Sequence, residues 1–381
     1  MNTAKFKDSP LGPIPQDWEV KRLGNLFDFA AAGDLQDNYS SKMPTHDNIY
    51  PIYSNTVPQK GLYGYTSRPR FKKGCMTITG RGTLGHAEYR DSDFDAIIRL
   101  IVMQPHKDVD ARFFVAYVNT YSPFPISVSS IPQLTVPQVQ ETIVPCPPLP
   151  EQQLIAEALG EVDKLIESLD EQIEKKRLIA KGVAHDLLGM RNDKNEPIRR
   201  LPGFKGAWEK KDYKDVFLHH KGKSIGTSEY ESSGQFPVID QGQEAVVAYS
   251  NNTDALFHVP DGGAIVFGDH TRIVKYVSKD FIVGADGTQI LSGLGCDTQF
   301  LYHALRQIEI PNLGYNRHFK FIKNHQYSLP PTLAEQQAIV DMLSEQDAAI
   351  AALEAKREKY VRIKEGMMRD LLTGKVRMKG E

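Results

Sequence analysis

Glu151-Gln152-Gln153-Leu154-Ile155 opens a run that closes on Asp186-Leu187-Leu188, and the chain holds this run twice. Glu335-Gln336-Gln337-Ala338-Ile339 opens the second copy, which closes on Asp370-Leu371-Leu372. At a constant offset of 184 the two align without a gap, and 16 of the 38 paired positions are identical. Self-similarity at so long a period has to be settled before any fold is assigned, because it dictates the architecture. The protein is built from two copies of one unit.

Each run reads as one long helix. Ile155, Leu159, Val162, Ile166, Leu169 and Ile173 alternate spacings of four and three, and Ala180, Val183 and Leu187 continue the series. A 3.5-residue seam carried that far predicts a coiled coil, with two ordinary core helices as the plainer alternative. At 1.5 Å per residue, 38 residues reach roughly 57 Å. The second copy keeps Ile339, Leu343, Ile350, Leu353, Met367 and Leu371 but places Gln346, Arg357 and Lys364 on the seam. Polar seam positions lower stability and can set register or partner choice. Both runs carry a glycine at one register, Gly182 and Gly366. A mid-helix glycine costs about 1 kcal/mol against alanine. Its presence in both copies points to a close backbone approach, helix on helix or partner on helix, with a tolerated accident as the alternative.

The repeat extends outward from the helices. Leu11…Trp18-Glu19 matches Leu201…Trp208-Glu209, Pro51-Ile52-Tyr53-Ser54 answers Pro237-Val238-Ile239-Asp240, and Gly74–Gly80 answers Gly262–Gly268. Phe113–Tyr117 answers Thr298–Tyr302. The stretches between head and helix are β-rich by pattern. Met76–Thr79, Ile97–Met103, Ala264–Phe267, Arg272–Val277 and Gln289–Leu291 carry β-branched residues and end at Gly, Asp or Pro. Short helices are expected near 110–119 and 297–307. Proline-studded exits, Val144–Pro150 and Leu329–Thr332, hand each region stiffly to its long helix. Thr332-Leu333-Ala334-Glu335 is a capping-box pattern that places a helix start there. Gly189 and Gly374 sit where helix C-caps are expected, and Met190–Arg200 is polar enough to be a linker.

Composition bounds the function. The 381 residues suit two or three domains, with 25% charged and 40% hydrophobic residues, ordinary for a globular protein. No apolar run approaches the length of a membrane span, and Met1–Lys7 lacks the apolar core of a signal peptide, so a cytoplasmic protein without a membrane partner is expected. Cys75, Cys146 and Cys296 are too far apart for a disulfide framework or a metal motif. The net charge of −2 hides no strongly basic half: residues 1–150 hold 15 Lys+Arg against 14 Asp+Glu, and residues 195–331 hold 15 against 15. Any nucleic-acid surface must be local.

A catalytic constellation is not found. Gly222-Lys223-Ser224 resembles the end of a phosphate loop, but Phe217 stands where its first glycine is needed. The fragment around Leu294-Gly295 is too short for a cofactor loop, no Asn-Pro-Pro-aromatic tetrapeptide occurs, and His219-His220 lacks further ligands at useful spacing. Local nucleic-acid signals do occur. Tyr63–Lys73 interleaves aromatics with Arg68, Arg70, Lys72 and Lys73, and Arg81-Gly82-Thr83 follows. In the second unit Lys221 and Lys223, then His270, Thr271 and Arg272, then Arg317, His318 and Lys320 stand in comparable places. Such loops suit phosphates and base edges, or are simply solvated.

A duplicated unit of variable β-rich domain, proline exit and Glu-Gln-Gln helix resembles the DNA-specificity subunit of type I restriction-modification systems, over essentially the whole chain. Its most specific parts are Pro148–Gln153 with Ile155 and Thr332–Gln337 with Ile339, supported by the Trp-Glu and Pro-Ile-Tyr-Ser echoes. The resemblance implies an α+β fold with an internal pseudo-twofold repeat: two β-rich target-recognition domains separated by two long helices that form an antiparallel coiled coil. The expected divisions are 1–148 and 191–331 for recognition, with 149–190 and 332–376 as the shared helical regions. It implies a non-catalytic chain that reads an asymmetric bipartite site on double-stranded DNA and docks two adenine-methyltransferase subunits, through which nuclease-translocase subunits join. S-adenosylmethionine would belong to the methyltransferase, and ATP and magnesium to the nuclease. For docking and helix pairing it points to Glu151, Gln152, Gln153, Ile155, Leu159, Ile166, Leu169 and Gly182. Their counterparts are Glu335, Gln336, Gln337, Ile339, Leu343, Ile350, Leu353 and Gly366. Two competing classes are a specificity chain serving another methyltransferase–nuclease arrangement and a coiled-coil scaffold that binds no DNA.

Overall fold

The repeat of sequence is a repeat of topology. The computed structural model describes residues 5–124, 132–191, 195–314 and 316–378. Met1–Ala4 of the N-terminal stretch and Asn192–Lys194 of the expected linker lie outside the described residues. The chain divides into two compact units, Met1–Leu169 with Lys356–Glu381, and Asp170–Ala355. The long helices, Leu149–Leu188 and Leu333–Leu371, each contribute to both.

In the first unit one antiparallel sheet orders Phe27–Ala31, Ile101–Pro105, Met76–Ile78 and Ala87–Tyr89. The second unit repeats that order with Phe217–His220, Thr288–Gly293, Ala264–Gly268 and Val274–Val277. A smaller sheet is also duplicated. Tyr50–Tyr53 pairs antiparallel with Leu62–Thr66 and parallel with Asp95–Ala96. Phe236–Ile239 does the same with Ala248–Ser250 and Phe281–Val283. The edges differ: Ser40–Ser41 extends the first sheet beyond Leu62–Thr66, and Leu256–Phe257 extends the second beyond Phe281–Val283. Head and proline exit meet as a two-stranded pair in each unit, Glu19–Arg22 with Ile143–Cys146 and Glu209–Asp212 with Gln326–Leu329.

The single strand expected over Ile97–Met103 is corrected. Ile98 and Arg99 take φ of 52° and 57°, a left-handed conformation that ends a strand. The chain leaves the small sheet after Asp95–Ala96 and joins the large one at Ile101–Pro105. Arg272 likewise has φ 65°, so the strand expected from Arg272 begins at Val274. The short helices form as Ala111–Tyr121 and Thr298–Arg306, with Asp110 and Asp297 as N-caps whose side chains accept backbone N–H bonds.

The helices wall the sheet cores. In the first unit Met76, Ile78, Ile101, Met103 and Phe114 share a core with Ile155, Leu159, Leu371 and Leu372. Trp18 is fully buried there, edge-on to Phe113 at 6.2 Å between ring centres. The second unit packs Ile265, Phe267, Leu291 and Leu301 with Leu187, Ile339 and Leu343, and sets Trp208 edge-on to Phe300 at 6.0 Å.

Within each unit the helices run antiparallel. Ile155 and Leu159 share their core with Met367 and Leu371, while farther along Asp163 meets Lys364 Nζ at 2.5 Å. In the second unit Leu187 shares its core with Leu343, and Arg177 meets Glu354 at 2.6 Å. Lys364 thereby acquires a role: the polar seam position makes a charge pair with the facing helix. Leu169 and Ile173 are buried, whereas Ile166, Ile350 and Leu353 are half-buried.

The described residues make no close helix-on-helix approach at the helix glycines: a Cβ on Gly182 would meet nothing within 4 Å, and one on Gly366 only the Arg369 guanidinium at 3.9 Å. The capping box at Thr332 is half formed. The Glu335 N–H donates to Thr332 Oγ1 at 3.2 Å, but the Glu335 carboxylate faces Trp208 and Arg200 instead of returning to the cap.

Candidate nucleic-acid interface

What the Glu-Gln-Gln motif does sets the frame for everything above it. Glu151 is 4% exposed, and its carboxylate accepts from Trp18 Nε1 at 2.9 Å and from Arg377 Nε and Nη2 at 2.7 Å each. Glu335, 1% exposed, accepts from Trp208 Nε1 at 3.2 Å and from Arg200 Nε and Nη2 at 2.9 and 2.7 Å. A buried carboxylate is tolerable because each is paired and multiply hydrogen-bonded.

The next residue ties two elements together. Gln152 Oε1 accepts from the Asp110 N–H at 2.9 Å while Nε2 donates to the Pro147 carbonyl at 2.8 Å. Gln336 takes the Asp297 N–H at 2.8 Å and reaches the Pro330 carbonyl at 3.4 Å. Each carboxamide thus joins a helix N-cap to a proline exit. The third residue, Gln153 or Gln337, is exposed. The motif is an internal lock that fixes each β-rich region on its helix, and sequence reading did not anticipate Arg377, Arg200, Asp110 or Asp297 as its partners.

Above this frame the first unit carries the expected cations on different footings. Arg70 is committed internally: its Nε donates to Asp95, which is 2% exposed, at 2.5 Å, and Nη2 to the Ala96 carbonyl at 2.7 Å. Arg68 is exposed and lies over the Tyr39 ring at 3.6 Å, and Lys42 lies over Tyr63 at 3.5 Å. Tyr39, Lys42 and the Tyr63 ring thereby join the site. Lys72 and Lys73 are exposed and flank Asp93, which accepts from Lys72 Nζ at 2.8 Å and the Lys73 N–H at 3.0 Å. That pairing holds the Asp93 carboxyl below, and the Lys72 ammonium above, their ordinary ranges. Arg81 and Thr83 are exposed on the loop that leaves Met76–Ile78.

In the second unit the loop Asp269–Arg272 and the segment Arg317–Lys320 come together. The His318 N–H donates to the Asp269 carbonyl at 2.8 Å, and the Phe319 N–H to the Asp269 carboxylate at 2.7 Å. His318 itself is fully buried, so it shapes the loop from within. Thr271 donates its hydroxyl to the Gln241 carbonyl at 2.5 Å, and the Arg272 guanidinium reaches the Ile310 carbonyl at 3.2 Å. Exposed positions around this knot are Arg317 and Lys320, and Lys323 Nζ lies over the Phe319 ring at 5.1 Å. Lys221 and Lys223 are exposed on the segment whose Ile225 N–H donates to the Val283 carbonyl at 3.0 Å. Burial lowers the His219 pKa, and His220 Nε2 lies 2.7 Å from Ser292 Oγ, so the histidine pair is held by packing and hydrogen bonding. Among the described residues no group of three or more His, Cys, Asp or Glu could hold a metal ion. None of the described helices is long and apolar enough to cross a membrane.

Comparison with known proteins meets this geometry. Residues 15–176 match the type I restriction modification DNA specificity domain, and residues 205–362 match it again. The chain belongs to the type I restriction-modification DNA specificity family. Each match takes in a head tryptophan, a β-rich region and most of a long helix. Among relatives of this specificity family, the putative type I restriction enzyme MjaX specificity subunit of Methanocaldococcus jannaschii is 24% identical over 428 aligned residues, spanning 98% of this chain and 97% of that protein. The MjaVIII specificity subunit of the same organism is 25% identical, spanning 98% and 96%. The fold is similar to that of a type I restriction-modification S subunit from M. genitalium, with a TM-score of 0.67 at 15% identity over 97% of this chain and 98% of that one.

Proposed function

We propose that this chain is the non-catalytic, DNA-reading subunit of a type I system. Each β-rich region reads one half of an asymmetric two-part site on double-stranded DNA. The two long helices dock two adenine-methyltransferase subunits, which nuclease-translocase subunits can join. The observation that carries the proposal is the equivalence of the locks beside the difference of the loops. Trp18–Glu151–Arg377 and Trp208–Glu335–Arg200 are one arrangement built twice. The frames present different exposed groups: Arg68, Lys72, Lys73, Arg81 and Thr83 in one, and Lys221, Lys223, Arg317 and Lys320 in the other. Like frames with unlike reading groups suit two different half-sites, with cations on phosphates and shorter polar groups on base edges.

The docking surface is proposed at Ile179 with Gly182 and Ile363 with Gly366. These pairs occupy one register of the repeat and are identical in both copies. Residues three apart share a helix face. Ile179 is 49% and Ile363 39% exposed, Gly182 has open space above it, and Gly366 has only the Arg369 guanidinium within 4 Å. A bare backbone beside an exposed isoleucine suits the close approach of a partner helix. S-adenosylmethionine enters with the methyltransferase, which flips its adenine because the target atom cannot be reached inside the stack. ATP and magnesium enter with the nuclease.

Copurification with a methyltransferase encoded alongside the chain tests the reading. Two methyltransferases per chain and adenine methylation at one bipartite motif support it. Site-specific DNA binding without such a complex assigns the chain to another enzyme arrangement, and absence of DNA binding makes it a scaffold.

A further inference from the structure

One pair of side chains is placed alike in both units and belongs to neither lock nor cation cluster. Asn55 follows Ser54 at the end of Tyr50–Tyr53, and Gln241 follows Asp240 at the end of Phe236–Ile239. Both strands have a parallel neighbour, paired through Ala96↔Tyr53 and Val283↔Ile239. The two carboxamides therefore emerge at equivalent points.

Each braces the loop that leaves the large sheet. Asn55 Oδ1 accepts from the Gly80 N–H at 2.7 Å, and Nδ2 donates to the Arg81 carbonyl at 2.7 Å. Gln241 Oε1 accepts from the His270 N–H at 3.1 Å, and Nε2 donates to the Asp286 carbonyl at 2.9 Å. A primary amide, with a donor and an acceptor on one plane, can serve both directions, whereas a carboxylate can only accept. In the second unit glycines let the backbone close on the Gln241 side chain. A Cβ on Gly287 would lie 2.8 Å from both Gln241 amide atoms, and one on Gly268 would lie 2.9 Å from Gln241 Cβ. In the first unit a Cβ on Gly80 would press on the Leu134 carbonyl at 3.0 Å and the Arg99 carbonyl at 3.1 Å.

The two braces differ by one methylene and in what they reach. Asn55 closes on a single loop, holding the backbone of Arg81 itself. Gln241 spans from the Asp269–Arg272 loop to Asp286, on the segment between Phe281–Val283 and Thr288–Gly293. We infer that Asn55 and Gln241 are positioning residues for base reading, each setting the loop of one half-site. This rests on the proposed DNA-reading function. The reading atoms are on the loops; the amides fix where those atoms stand.

The test uses the full chain with its methyltransferase, read by sequencing methylated adenines on a plasmid library with both half-sites randomised. N55D and Q241E keep shape and remove the donor. Losing one positioned hydrogen bond predicts that preference for the correct bases falls about tenfold in one half-site, the other half being unchanged. N55D and Q241E should affect opposite halves. Unchanged preferences, equal relaxation of both halves, or a uniform drop in methylation with base preference intact would each overturn the inference, the last marking a merely structural role. Either variant alone decides the matter if the other fails to fold. Failure of the wild-type chain to give any bipartite motif would instead overturn the proposed function.

Discussion

Arg377, six residues beyond the second long helix, closes two hydrogen bonds of 2.7 Å on the carboxylate of Glu151, at the start of the first. Its Nη2 also reaches Asp17 at 2.7 Å, and the preceding tail lies against the head, where a Cβ on Gly374 would strike the Pro15 ring. Arg200, beyond the first long helix, does the same for Glu335. In both copies the segment trailing one helix seals the beginning of the other.

Removing one member of such a pair strands a buried charge. R377A should destabilise the first unit by about 3–5 kcal/mol, and R200A the second by a similar amount. Replacing both partners with apolar residues of like volume, as in E151L with R377L, should cost far less. Denaturant titration of single and double variants checks the coupling, and equal losses in the two would contradict it.

Burial pushes His303, 4% exposed, from the ordinary 6.5 down to about 4, with Asp347 opposing and Arg306 adding to the shift. Its Nε2 has no hydrogen-bond partner among the described residues. The unfolded chain binds a proton there between pH 6.5 and 4 that the folded chain refuses. Stability is therefore full above about pH 6.5 and is lost as pH falls toward 4, by up to about 3 kcal/mol. Melting temperature against pH, wild type beside H303L, checks this: the variant should lose part of the decline. A parallel decline in both would contradict it.

Glycine in a helix gives up about 1 kcal/mol to alanine. Because nothing described crowds Gly182, G182A should raise the stability of the isolated chain by about that amount while weakening methyltransferase docking. I179D should leave stability nearly unchanged and remove one methyltransferase of two. Calorimetry of the chain and the mass of the complex check both statements. Docking unaffected by G182A and I179D would place the partner elsewhere.

Much of the frame was legible in the sequence because its signals are local or repeated. The 3.5-residue seam, the proline exits and the paired glycines located both long helices, and the β-branched runs located strands of the large sheets, at Met76–Ile78, Ala264–Gly268, Val274–Val277 and Thr288–Gly293. Other features depend on distance. Arg377 finds Glu151 across 226 residues, and Arg70 is drawn to Asp95 by a pairing that composition cannot distinguish from an exposed cation. The left-handed turn at Ile98-Arg99 breaks a run that reads as continuous strand, since neither residue favours that conformation locally. Asn55 and Gln241 did leave a trace, each standing directly after an echoed motif, Pro51–Ser54 or Pro237–Asp240. The equivalence is masked in the sequence because the two side chains differ in length.

The paired buried amides make a further case. Q336L would leave the Asp297 N–H and the Pro330 carbonyl without their partner and should cost about 1–3 kcal/mol, as should Q152L in the first unit. Hydrogen exchange at the N-terminus of Thr298–Arg306 should quicken in Q336L. Unaltered protection there would contradict the lock.

The central claim is that the two units read independent half-sites from one duplicated frame. It is tested most directly by exchanging residues 209–329 for the matching region of another specificity subunit and sequencing the methylated adenines that the complex leaves. The account predicts a bipartite motif in which one half changes while the other half is retained. Change in both halves, or loss of the motif with the complex intact, would contradict it.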